Sequence, residues 1–463
     1  MLKLPQAVYD EHLPSLLTAT NVEAMCEIFQ RELPDFVAGK YRVADIAIKQ
    51  FQHRPGRKAE LIYSLRYWEV QSQIKKRQFV FVVVLPPEAA EAQYENARQR
   101  PFVQTEAVPS LHFFSRLSMV LWSFPNDPKM KYLPRVVEPA SLRNLLEQHW
   151  EALRLAPDCR LLRVETDISK YAPQDRCTCK HALTLEQDGR EFEHVVFSKT
   201  YSPKTYAEPI YELMQALWQA PVCQTGILIT PEPLFFAAEL NTIFCRGVSG
   251  GHALDLLEHV DLNDVTAQSG AALAGLQQSD LPLGNFRARD GEMTEFEDGM
   301  QVLLRYDESY RARLEEMYAE LQARLPELPP LATVPVHGAF RLPQLLLTEN
   351  KIALLDFDGF LSGDPMVDTS SFLAHLFYLV VKGELTHEQY RAAATHFTRA
   401  YAESAPWGLP NEVLQWYLAL TLIAKQAKKC IRLAKENHAV KVGQLVDFAE
   451  AVLRGEDERV VLS

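Results

Sequence analysis

The stretch Val334–Asp368, VPVHGAFRLPQLLLTENKIALLDFDGFLSGDPMVD, restricts this chain more than any other. It reads as a loop, two short strands and a second loop. Leu345-Leu346-Leu347 is one apolar run, Thr348-Glu349-Asn350-Lys351 is turn chemistry, and Ile352-Ala353-Leu354-Leu355 is the returning run. Such a hairpin delivers Asp356 and Asp358 to one end, with His337 and Gly338 just ahead of its first strand. Two carboxylates at i, i+2 on an extended segment point to the same side, an arrangement that suits a hard cation such as Mg2+.

On these residues the segment resembles the catalytic and metal loops of the aminoglycoside phosphotransferase and choline kinase group, relatives of the protein kinases. That family writes His-Gly-Asp, then Asn or Gln five residues after the Asp. A strand ending in Asp-x-Asp or Asp-x-Glu follows, and then Gly-Asp-Pro-x-x-Asp. His337, Gly338, Gln344, Asp356, Asp358, Gly363, Asp364, Pro365 and Asp368 fall on that pattern. The family's catalytic Asp is Ala339 in this chain, and its usual Asn is Gln344.

In kinase-like phosphoryl transfer the Asp accepts the substrate hydroxyl's proton, and the Asn helps hold a metal. Alanine does neither, and losing a general base costs about 10²–10⁴ in rate. Gln344 still offers a carbonyl oxygen to a cation. The resemblance implies Asp356, with Asp358 and Gln344, as metal ligands, His337 as a loop-holding residue and Asp368 as a structural pin. Arg341 stands where the family often has His. Beside the vacant base position it either holds an anionic substrate or phosphate by bidentate contact, or salt-bridges an acidic neighbour.

Ahead of this segment the chain repeats one pattern. Asn21 is positioned to cap a helix carrying Val22, Met25, Ile28, Phe29 and Leu33 at helical spacing. Strand-like runs follow at 44–51, 59–68 and 79–85, then a polar helix at 88–100, a strand at 117–124 and a helix at 141–150. The second pass places strands at 160–169, 177–185 and 194–201, a Gln187-Asp188-Gly189 hairpin turn, a helix at 205–219 and strand sequence at 235–246. HRPGRKAELIYSL echoes YAPQDRCTCKHAL, and QFVFVVVL echoes HVVFSKTY. If the second copy is the kinase-like N-lobe, Lys199 resembles the strand lysine that contacts nucleotide phosphates. Glu212 in the following helix is its candidate ion-pair partner, with Glu208 competing. The first copy has Val83 at the corresponding place, so it suits a structural or partner-binding role.

From Gly250 the chain turns helical, with periodicity at 252–259, 265–276 and 307–325. A buried helix is expected at 369–381, a capping box at Thr386-His387-Glu388-Gln389, and helices at 416–433 and 445–453. Lys425, Lys428, Lys429, Arg432 and Lys435 form a basic stripe that reads first as a solvated helix face. The expected fold is α+β, protein-kinase-like and bilobal, with an antiparallel-sheet N-lobe at 156–248 and a mainly helical C-lobe at 249–463. Before it lies an extra α+β cap domain at 1–155, a candidate duplicate of the N-lobe; this architecture also resembles maltokinase-type proteins.

A net charge of −12 argues against general nucleic-acid binding. No apolar run approaches the roughly 20 residues of a membrane span. The opening MLKLPQAVYDEHLP has acidic residues and prolines where a signal peptide has its apolar core, and seven scattered cysteines read as thiols of a reducing cytoplasm. The resemblance leaves three functions open. They are a nucleotide- and Mg2+-binding pseudokinase or atypical phosphotransferase, an active ATP-dependent kinase of a small hydroxylated molecule, and a non-enzymatic scaffold. The expected partners are a nucleotide, ATP first, and an unidentified small molecule or protein.

Overall fold

The structure, a computed structural model, describes residues 10–349, 351–432 and 437–455. These fall into two compact units, one of residues 10–208 and 234–244 and the other holding the rest. The first unit therefore contains both sheet regions, and the second is mainly helical. No described helix is long and apolar enough to cross a membrane.

The first sheet is built from β1 (Tyr41–Arg54), β2 (Lys58–Glu69), β3 (Ile74–Val84), β4 (Leu111–Phe114) and β5 (Met119–Ser123), in the order β1-β2-β3-β5-β4. The unbroken apolar run of β3 is explained by burial on both faces. Val80, Val82 and Val84 enter a core with Leu61, Tyr63 and Phe29, while Phe81 and Val83 pack with Ile62, Ala90 and Trp122 on the other side. The helix Val22–Glu32 contributes Met25, Ile28 and Phe29 to the first of these cores, and Asn21 caps it by accepting from the Ala24 N–H at 3.0 Å.

The second sheet repeats the first. Its strands are β6 (Arg160–Ala172), β7 (Arg176–Gln187) and β8 (Arg190–Tyr201). After β9 (Leu228–Ile229), which belongs elsewhere, come β10 (Pro233–Ala237) and β11 (Thr242–Arg246). Their order, β6-β7-β8-β11-β10, is that of the first sheet, and the opening strands β1 and β6 each carry two bulges against their neighbours. Both sheets also turn into their last strand pair through a single-turn 3-10 helix closed by a left-handed residue, Ser118 at φ 48° and Asn241 at φ 47°. The expected strand at 235–246 is thus two strands. Asn241 breaks it in the left-handed conformation that Asn tolerates, and its amide ties the turn to the loop after β8, donating to Thr205 O at 2.8 Å and accepting from the Ala207 N–H at 3.0 Å.

The two sheets are joined by Phe124, Met130, Leu133, Tyr171, Cys177 and Cys179. Buried Asp127 completes this seam, accepting from Tyr171 Oη at 2.8 Å and from the Gln174 N–H at 2.9 Å. A second buried polar residue, His181 in β7, lies between the hydroxyls of Thr166 at 2.9 Å and Ser198 at 2.7 Å. Burial pushes its pKa down to about 3, below the ordinary 6.5. The unfolded chain therefore holds the extra proton between those values, and stability falls as pH drops through 6.5. We expect a loss of about 2 kcal/mol from this residue by pH 5. Urea midpoints at pH 7.5 and 5 should converge partly in His181→Gln, and an unaltered pH slope would rule the assignment out.

In the second unit, the helices Leu262–Gln277 and His387–Ser404 lie against each other at Gly270, where a Cβ would come within 2.3 Å of Phe397 O. Thr386 and Gln389 make both bonds of the expected capping box. The helix Met366–Lys382 is buried along most of its length, and Trp416 Nε1 donates to Leu321 O at 2.9 Å. Residues 252–259 differ from expectation. Gly251–His252 is strand β12 and turns follow, since His252 O and Leu256 O accept from the Asp255 and His259 N–H groups in short turns. A helix at Arg289–Tyr306 was not anticipated; Glu292, Asp298 and Glu295 obscure its buried Met293, Phe296, Met300 and Leu303.

Candidate active site

The candidate loop is held from below. Strand β13 (Val334–Val336) precedes it, and the hairpin of β14 (Leu345–Leu347) and β15 (Ile352–Leu354) follows, with β12 and β9 as the outer strands of that small sheet. β16 (Leu361–Gly363) then returns antiparallel to β13. The hairpin is as the sequence suggests, although Asn350 in its turn lies outside the described residues.

Asp368, in the first turn of the helix Met366–Lys382, is fully buried. Its carboxylate accepts from the backbone N–H of His337 at 2.6 Å, Gly338 at 3.0 Å and Phe340 at 3.4 Å. One side chain thus fixes three of the loop's amides. His337 is buried too, and the Ala339 N–H donates to its Nδ1 at 3.3 Å. The proton then sits on Nε2, which donates to Leu355 O at 3.0 Å, and burial pushes this imidazole's pKa down. His337 therefore acts as a neutral strut between the loop and the end of β15.

Gly338 adopts φ +78°, and a Cβ there would lie 2.7 Å from Gly359 O; one on Gly359 would lie 2.9 Å from His337 O. Only two glycines allow these backbones to approach so closely. The carboxylates are displayed differently from the extended arrangement expected. Asp356 is left-handed at φ 71°, and Phe357–Gly359 is a 3-10 turn, so Asp356 and Asp358 do not share the face of a strand. Leu355 still extends the hairpin ladder, its N–H donating to Gln344 O at 2.8 Å, and the departure from β geometry begins at Asp356. Both carboxylates are half-buried, and Gln344 Nε2 donates to Asp356 Oδ2 at 3.4 Å. Among the described residues no group of three or more His, Cys, Asp and Glu side chains gathers as a metal site. Asp356, Asp358 and Gln344 carry the carboxylate and amide oxygens that a hard cation takes as ligands, although the Gln344 amide here turns its NH2 toward Asp356.

Asp364 is occupied structurally, accepting from Arg289 Nη2 at 2.6 Å and Nε at 3.0 Å. Beside it a cavity of about 300 Å³ is lined by Phe286, Arg287, Pro330, Leu331 and Thr333. In the first unit, Lys199 is half-buried on β8, opposite Thr178, with its ammonium 5.5 Å from the Tyr201 ring centre. It shares its face with Phe197 and Tyr201, whereas Val196, Ser198 and Thr200 turn to the other, buried face. Glu212 is exposed on the helix Glu208–Gln219, and Glu208 receives the Tyr206 hydroxyl.

Residues 188–407 match the phosphotransferase enzyme family. The resemblance carried by the 334–368 motif is met by that match, and this part of the chain is phosphotransferase-like by sequence. No curated protein matches the chain. Solved structures similar to it include a choline/ethanolamine kinase family protein from Mesorhizobium loti, 14% identical, covering 63% of this chain and 90% of that one, with a TM-score of 0.41. An aminoglycoside phosphotransferase, at 15% identity, covers 68% of this chain and 98% of its own, with a TM-score of 0.44. The macrolide 2'-phosphotransferase of Brachybacterium faecium is 16% identical over 69% of this chain and 99% of that one, with a TM-score of 0.42.

Sequence reasoning took the basic stripe for a solvated face, and the packing differs. Lys428 is buried and Lys425 half-buried, because residues Leu422–Ala427 form a π-helical turn that packs against Gly299. Lys425 Nζ donates to Gly338 O at 3.4 Å. Lys435 and the side chain of Arg432 lie outside the described residues. A cation recurring at helical spacing among apolar residues was the available signal, but only the turn of the helix shows where it points.

Proposed function

We propose that this protein is a nucleotide- and Mg2+-binding member of the phosphotransferase-like proteins that lacks the usual base, acting as a pseudokinase or an atypical phosphotransferase. The observation that carries the proposal is the loop itself. Its frame is complete, with the Asp368 clamp on three amides and the His337 strut, yet the position for a proton acceptor is Ala339. Asp356, Asp358 and Gln344 would hold the cation, whose chemistry is neutralisation of phosphate charge. Lys199 would contact nucleotide phosphates, and Glu212 would orient it.

The intact frame also supports a second reading, an active ATP-dependent kinase of a small hydroxylated molecule in which water or another group takes the proton. A scaffold with a vestigial site is the third. A cytoplasmic location is part of the same proposal, on the reading of seven scattered cysteines as reduced thiols.

Thermal-shift titration with ATP, with and without Mg2+, tests the proposal. A ligand bound only by the folded protein adds RT ln(1 + [L]/Kd), about 2.7 kcal/mol at a hundredfold excess. Lys199→Ala and Asp356→Ala are each expected to abolish a Mg-ATP shift. Unchanged affinity in both variants would remove the site assignment, and no shift with any nucleotide would leave the scaffold. Turnover with a hydroxylated substrate would favour the second reading.

A further inference from the structure

The cations around the candidate loop are not equivalent. Lys425 has its hydrogen bond to Gly338 O and the charge of Asp368 nearby. Arg289 is held by Asp364, Leu328 O and Pro329 O. Arg341 is different. Its guanidinium is half-buried, and Nε is shielded from water with no hydrogen-bond acceptor among the described residues. Asp356 attracts it, while burial pulls its pKa down from the usual value.

A buried guanidinium N–H without an acceptor is costly, and an arriving acceptor recovers that cost, an anion most of all. Arg341 sits two residues from Ala339, whose methyl offers it no counter-charge. A planar fork whose Nε lacks an acceptor suits the tetrahedral oxygens of a phosphate group.

We propose that Arg341 is a ligand-binding residue for a phosphate-bearing small molecule, so that the second ligand of this site is an anionic phosphomonoester and not a neutral or amine-bearing alcohol. This rests on reading loop 337–344 as the acceptor side of the proposed site, and it does not depend on nucleotide binding.

The test is a thermal-shift titration of the full chain with glycerol 3-phosphate, against glycerol, in nucleotide-free and Mg2+-free buffer at constant ionic strength. Glycerol 3-phosphate is expected to raise the melting temperature and glycerol to leave it unchanged. Arg341→Met should abolish the response, Arg341→Lys should weaken it, and Lys199→Ala should retain it. Without ligand, Arg341→Met should melt at the same temperature as the parent or higher, because an unsatisfied buried N–H has gone. A lower melting temperature would show that Arg341 already has a structural partner and would overturn the proposal. So would a response that survives Arg341→Met, or no response from the parent. In the Mg-ATP arm the two shifts should add. If ATP suppresses the phosphomonoester shift, Arg341 reads the nucleotide's own phosphate and the acceptor assignment falls. Loss of the ATP shift alone, with the glycerol 3-phosphate shift kept, would sink only the nucleotide reading.

Discussion

Asp368→Ala is expected to lower the unfolding free energy by about 3–5 kcal/mol, since it leaves three backbone N–H groups in the buried loop without an acceptor. The charge of Asp368 is not what stabilises the loop. Burial pushes this carboxyl's pKa up, so the desolvation that disfavours the ionised form outweighs His337, the backbone N–H groups and Lys425, which favour it. Asp368→Asn keeps one acceptor oxygen, for Gly338 and Phe340, but sets its NH2 against the His337 N–H, so it should cost less than the alanine variant while remaining destabilising. Urea unfolding of the two variants checks this directly; an alanine variant as stable as the parent would mean that the loop is held elsewhere.

Ala339→Asp is expected to raise Mg-ATP-dependent phosphoryl transfer, to water or to a hydroxylated acceptor, by about 10²–10⁴-fold. The loop is already fixed by His337 and Asp368, so the new carboxylate enters a built frame and little reorganisation opposes it. It should also become a counter-charge for Arg341 and so weaken the response to glycerol 3-phosphate. Ala339→Asn controls for size without basicity. If Ala339→Asp leaves ATP turnover at the parental level, the missing base is not what limits the chemistry.

Much of this site could be read from the chain because its signals are local. The β14–β15 hairpin follows from two apolar runs around a polar turn, and the Thr386–Gln389 capping box from spacing alone. The repeat was visible as well, since β-strand periodicity and turn residues recur in the same order in both sheets. The display of Asp356 and Asp358 was not. An i, i+2 pair points one way only on extended backbone, and here a left-handed residue and a 3-10 turn intervene.

What the amino-acid sequence determined unaided is the inventory: the motif frame from His337 to Asp368, the alanine at its base position, and strands and helices set by periodicity. What the tertiary structure alone decided is which of those groups are already occupied. Arg289 holds Asp364 across 75 positions of chain, Gln277 meets Pro365 across 88, and Lys425 reaches Gly338 across 87. Arg341, a few residues from both Ala339 and Gln344, ends with no acceptor at Nε among the described residues. Burial and hydrogen-bond satisfaction depend on every element packed around a side chain, and neighbours so distant in sequence leave no local periodicity from which to read them.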